Sequence, residues 1–136
     1  MKTAILACLF LAAAPLAAAA ASAIAPMPYR SVAQALADLQ SRDGQSTIVT
    51  HADGWTIVNE PAAGAQWSFV PKDHAAYPAA VRRVILRGPS RAVSVDTQSL
   101  CEGPAPACEK LLQEFEALNE RIVQSARSRA MPVPAR

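Results

Sequence analysis

Histidine, glycine and aromatic side chains are scarce in this chain, and their scarcity narrows its chemistry before any element is placed. The 136 residues hold 2 histidines, 5 glycines and 3 cysteines, with aromatics at 5%. His51 and His74 provide no three- or four-ligand spacing, so neither a metal nor another cofactor is expected. The glycines stand singly at 44, 54, 64, 88 and 103, which suits turns and provides no glycine-rich phosphate loop. The G-x-S-x-G, H-E-x-x-H and S-x-x-K patterns are absent, so no catalytic residue is assigned. Charge is also modest: 13 Lys and Arg against 11 Asp and Glu leave +2, too weak a field to select nucleic acid.

Long apolar runs are missing except at the start. Residues 5–14 (ILACLFLAAA) follow Met1 and Lys2, and residues 17–23 (AAAAASA) supply small side chains, with Ala21-Ser22-Ala23 as an A-x-A cleavage signal. This is the layout of a signal peptide at 1–23. The apolar part is about half the roughly 20 residues a bilayer span needs, so no permanent membrane anchor is expected. Cys8 lies inside the apolar stretch, not after it, which excludes it as a lipid-carrying cysteine. Export to the periplasm is the expectation, with a mature chain of roughly 110 residues, enough for one domain.

With Cys8 removed, Cys101 and Cys108 remain as an even pair in an oxidising compartment and are expected to form a disulfide. Residues 102–107 (EGPAPA) are turn-forming, so the sulfurs can meet without distorting a regular element. Closing so short a loop contributes about 2–3 kcal/mol by chain entropy. A redox role would call for C-x-x-C spacing, which is lacking.

Residues 24–30 read as an irregular leader. Ser31 and Gln34 then form a capping box, and Val32, Leu36 and Leu39 fall on one helical stripe that Gly44 ends. The β-branched runs 46–51 (STIVTH) and 55–59 (WTIVN) flank Asp53-Gly54, a hairpin signal. After a turn at 60–64, Ala65, Trp67 and Phe69 alternate along a third strand, and residues 81–87 and 91–97 make a second hairpin around Gly88-Pro89. Cys108, Leu111, Leu112, Phe115, Leu118 and Ile122 mark one face of a C-terminal helix, whose burial is expected to be the largest single source of stability. Residues 125–136 end in prolines and read as a disordered tail. The expected fold is α+β: an antiparallel sheet of about five strands packed against an N-terminal and a C-terminal helix, forming one domain at 31–124.

Two clusters are candidates for binding. Arg82, Arg83, Arg87 and Arg91 are the densest charge; strand alternation puts Arg83 and Arg87 on one face with Val81 and Ile85, and Arg82 on the other. They suit either solvated edge protection or contact with an anionic lipid, a glycan or an acidic protein. Trp67, Phe69, His74 and Tyr77 bring aromatic surface to the long connection at 71–80, where Tyr77-Pro78 also suits a structural anchor. His74, Tyr77, Arg82 and Arg83 are the candidate binding residues.

Three stretches, DGWTIVNEP at 53–61, WSFVP at 67–71 and HAAYPAAVRR at 74–83, continue into LCE at 100–102, Cys108 and EFEALN at 114–119. In these the chain resembles a family of small exported proteobacterial proteins to which no activity attaches. Family members often carry proline after the loop histidine, where Ala75 stands here. The His-Pro-Asp signature of J domains is missing, so no chaperone role is carried over. The expectation is a small periplasmic domain, a non-enzymatic binding or accessory protein of the cell envelope, with an unknown envelope protein or an anionic surface component as partner. The alternatives are a small hydrolase-type enzyme using His51 or His74, and an envelope structural protein that self-associates through a sheet edge.

Overall fold

A computed structural model describes residues 25–42, 47–89 and 92–130. The expected signal peptide, Gly44, Arg91 and the end of the expected tail lie outside them. The elements are α1 (Val32–Ser41), β1 (Thr47–Thr50), β2 (Thr56–Glu60), a 3-10 turn (Pro61–Ala63), β3 (Ala65–Phe69), β4 (Ala79–Arg87), β5 (Val93–Cys101) and α2 (Ala105–Ala130). The strands follow one another as a meander, β1-β2-β3-β4-β5, antiparallel at every pairing. The fold is therefore the expected α+β arrangement.

The helices take opposite faces. Side chains alternate along a strand, and the register pairs Val58 with Trp67 and Phe69 with Ala80, so these four share a face. They pack against Val32, Ala35 and Leu39 of α1, with Met27 and Tyr29 of the leader at the margin. On the other face Val81 and Ala79 pack with Leu111 and Phe115 of α2. Trp67 is the largest fully buried side chain. Its indole Nε1–H donates to Glu60 at 2.6 Å, satisfying the polar atom that makes a buried Trp costly.

Local chemistry fixes the ends. Ser31 Oγ accepts from the Gln34 amide at 3.2 Å, so the Ser31 half of the expected capping box forms, while Gln34 Oε1 accepts from the Arg30 amide at 3.3 Å. The Glu102 carboxylate accepts from the Val32 amide at 2.8 Å, a negative charge on the positive end of α1. Gly54 holds φ +85° in the β1–β2 turn, a conformation that disfavours other residues. The Cys101–Cys108 disulfide is present, with Cα atoms 5.9 Å apart, and it ties the end of β5 to the first turn of α2.

Several boundaries differ from the sequence reading: β4 begins at Ala79, inside the expected loop, β5 runs to Cys101, four residues past its expected end, and both ends of α2 shift. Helix α2 begins at Ala105, inside the stretch read as a turn, because Pro106 sits in the first turn, where its missing N–H costs nothing. It also runs to Ala130, so residues 125–130, expected to be a disordered tail, are helical. Alanine and arginine are good helix formers, and Arg127 and Arg129 favour the helix C-terminus. Only Leu111, Phe115 and Asn119 of this helix are buried. Its apolar face is covered less than expected, and the most deeply buried bulk lies under α1.

Candidate ligand-binding groove

The register assembles a row of polar side chains across the middle of the α2 face. Thr47 pairs with Asn59, Asn59 with Gln66, Gln66 with Arg83, and Arg83 with Thr97. The side chains are linked as well: Gln66 Nε2–H donates to Asn59 Oδ1 at 2.9 Å, and Arg83 Nη2–H donates to Gln66 Oε1. At the far end Asn119 of α2 donates to Thr97 Oγ1 at 2.6 Å. The row thus spans all five strands; its side-chain hydrogen bonds join β2, β3 and β4 and, separately, β5 and the covering helix, and the Gln66 bond orients Arg83.

Arg83 lies beneath α2, its guanidinium 5.2 Å from the centre of the Phe115 ring, a cation–π geometry. Burial pulls its pKa below the ordinary arginine value. Among the described residues its buried Nε–H has no acceptor and no carboxylate forms an ion pair with it. A half-buried cation of this kind is costly unless an anion meets it.

Two grooves meet at Arg83. The upper one, about 430 Å³, lies between the β1–β2 turn and α2, with Trp55, Ile57, Phe115 and Arg121 in its walls. The lower one, about 480 Å³, lies towards the β2–β3 turn, with Ile85, Val95 and Ile122 as its apolar wall and Arg87 at its side. Both volumes fall in the range of small-molecule sites.

The four sequence candidates do not form a single patch. Arg83 stands in the grooves. Arg82 points to the α1 face, over the Trp67 ring at 5.8 Å, and donates to Gln98 at 3.4 Å. His74 is held within its own loop, where Nδ1 accepts from the Ala76 amide at 3.1 Å. Its ring meets Trp55 edge-on at 5.5 Å, so it buttresses one wall of the upper groove. Tyr77 is exposed and precedes a cis Pro78. Trp67 and Phe69, expected near the loop surface, belong to the core.

His51, Asp53 and Ser68 all line the upper groove, the residue types of a hydrolytic triad. Ser68 is only 2% exposed, Asp53 Oδ1 accepts from the Trp55 amide at 3.3 Å, and among the described residues no hydrogen bond joins the three side chains. A triad needs those links to activate the hydroxyl. Among the described residues no group of three or more His, Cys, Asp or Glu is placed to hold a metal ion, and no helix is long and apolar enough to cross a membrane.

Gln66, Asn59 and Thr97 escaped the sequence reading because each is an ordinary strand residue in isolation. Their signal is positional: polar side chains on strand faces that α2 covers, aligned once the hairpin registers are known. No family model matches the chain, no curated protein matches its sequence, and no solved structure matches its fold.

Proposed function

We propose that the chain is an exported, non-enzymatic binding module of the cell envelope whose groove beneath α2 receives an anionic ligand on Arg83. One observation carries this reading: a half-buried arginine, fixed by Gln66 and lacking a carboxylate partner among the described residues, opens onto grooves of ligand size. An incoming anion supplies the missing charge partner and recovers part of the desolvation cost. The signal-peptide pattern at 1–23 and the disulfide support an oxidising compartment.

The test is the native mass of the mature protein recovered from the envelope of cells that make it, wild type beside Arg83→Gln. Added mass on the wild type that is absent from the variant supports the reading. A bare wild type, or equal added mass on both, removes Arg83 from the binding role.

A second reading, self-association, draws on β1, an edge strand with Ile48 and Val49 exposed at 38% and 44%. Such an edge can pair with a second copy. A native mass that stays monomeric across a hundredfold range of concentration counts against it.

A further inference from the structure

The two grooves differ in character on either side of Arg83, and the difference points to the shape of the ligand. This inference rests on the binding reading above and names its ligand class. The upper groove is walled partly by charged residues, Asp53, Glu114 and Arg121. The lower groove carries Ile85, Val95 and Ile122 together, with Ala65 and Pro61 at its end. Ile85 is 47% exposed, the most exposed large apolar side chain of the sheet, and it follows Arg83 on the same face of β4. Ile85 pairs with Val95 across β5, so the two form a continuous apolar floor. Glu60, the carboxylate in that groove's lining, is already occupied by Arg42 at 2.8 Å and by the Trp67 indole. It therefore offers little repulsion to an anion at Arg83.

We infer that the ligand is an anionic amphiphile: its head group sits on Arg83, between the two grooves, and its alkyl chain lies along Ile85, Val95 and Ile122. A cation beside an open apolar trough is the pairing such a molecule satisfies at both ends. Neither a small inorganic anion nor an uncharged hydrocarbon uses both parts. Free fatty acids and lipid phosphates share this chemistry, and the choice of head group distinguishes them.

Titration calorimetry of the mature protein with four probes tests the inference: laurate, dodecyl phosphate, butyrate and dodecanol. Laurate or dodecyl phosphate should bind about 100-fold more tightly than butyrate, since burial of successive methylenes multiplies affinity, and about tenfold more tightly than dodecanol. Arg83→Gln should weaken the anionic amphiphile about tenfold. Ile85→Asn, with its fold checked by circular dichroism, should weaken the anionic amphiphile several-fold and butyrate by much less, so that the ratio between the two falls. Butyrate binding as tightly as laurate, with both lost in Arg83→Gln, overturns the chain-binding floor and leaves the anion site standing. Failure of laurate and dodecyl phosphate to bind overturns the inference. Equal binding of laurate and dodecanol, unaffected by Arg83→Gln, overturns both the inference and the reading beneath it.

Discussion

Arg42 and Arg83 are both partly buried and both hydrogen-bonded to side chains, and their surroundings are opposite. Arg42, at the end of α1, donates to Asp38 and Glu60 and to the Tyr29 hydroxyl, and the Asp38 bond raises its pKa above the ordinary arginine value. Arg83, under α2, has a neutral amide and an aromatic ring for company, and burial pushes its pKa the other way. The same contrast separates the faces. The α1 face is closed around Trp67, whereas the α2 face is packed at Leu111 and Phe115 and then opens into grooves. Each face holds an arginine with no ion pair among the described residues, Arg82 closed over Trp67 on one and Arg83 on the other, and only Arg83 has open groove beside it.

The largest expected difference between the faces comes from truncating their side chains. Trp67→Ala should cost about 3–5 kcal/mol, a large part of a small domain's stability. Ile85→Asn should cost only about 1 kcal/mol, the loss of a β-branched strand residue and its cross-strand contact with Val95. Urea denaturation of both variants checks the pair. Equal losses would break the comparison.

Next is the disulfide. Replacing Cys101 and Cys108 together by serine should cost about 2–3 kcal/mol by loop-closure entropy, read as a lower denaturation midpoint without loss of fold. Gly103→Ala probes the same corner differently. A Cβ there would stand 2.4 Å from the Ala76 carbonyl oxygen, a backbone clash that relaxes by moving the His74 loop or the turn that carries Gly103. The expected cost is about 1–3 kcal/mol, together with a change in Trp55 fluorescence if His74 shifts from its ring.

The smallest effect is a pH dependence confined to the α1 side. Burial, aided by the hydrogen bond to Asp38, pushes the Tyr29 pKa from 10.0 up to about 12. Between those values the unfolded chain has lost the phenol proton and the folded chain has kept it, so stability falls as pH rises. Asp38 is held below its ordinary 3.8 by the Tyr29 and Arg42 hydrogen bonds, so its contribution is lost as pH falls through that depressed value. Tyr29→Phe should flatten the alkaline slope of stability, measured by denaturation from pH 9 to 12.

Periodicity carried most of the fold. The capped stripe of Val32 and Leu39, the Asp53-Gly54 turn, the alternation of Trp67 and Phe69 and the apolar face of α2 each reflect one local rule. What local rules cannot state is which face each helix takes, and that choice decided the site. Trp67 and Phe69 are legible as one face of a strand, but nothing in that strand names α1 as their cover, so the sequence alone assigns their aromatic surface to the adjoining loop. Alternation puts Arg82 and Arg83 on opposite faces, as the structure has them, yet only the covering helix α2 and the neighbouring Gln66 set Arg83 apart. Asn119 was hidden by its type: a polar residue in a helix reads as solvent-facing, but here it is buried on Thr97.

The claim that Arg83 serves a ligand more than the fold is tested most directly by the melting temperature of ligand-free Arg83→Met beside the wild type. Methionine keeps the packing against Phe115 and removes the desolvated charge. The melting temperature should be unchanged or higher, with anion binding lost. A fall of about 5 °C or more, corresponding to roughly 1 kcal/mol for a domain of this size, would show that Arg83 holds the fold together and would contradict the account.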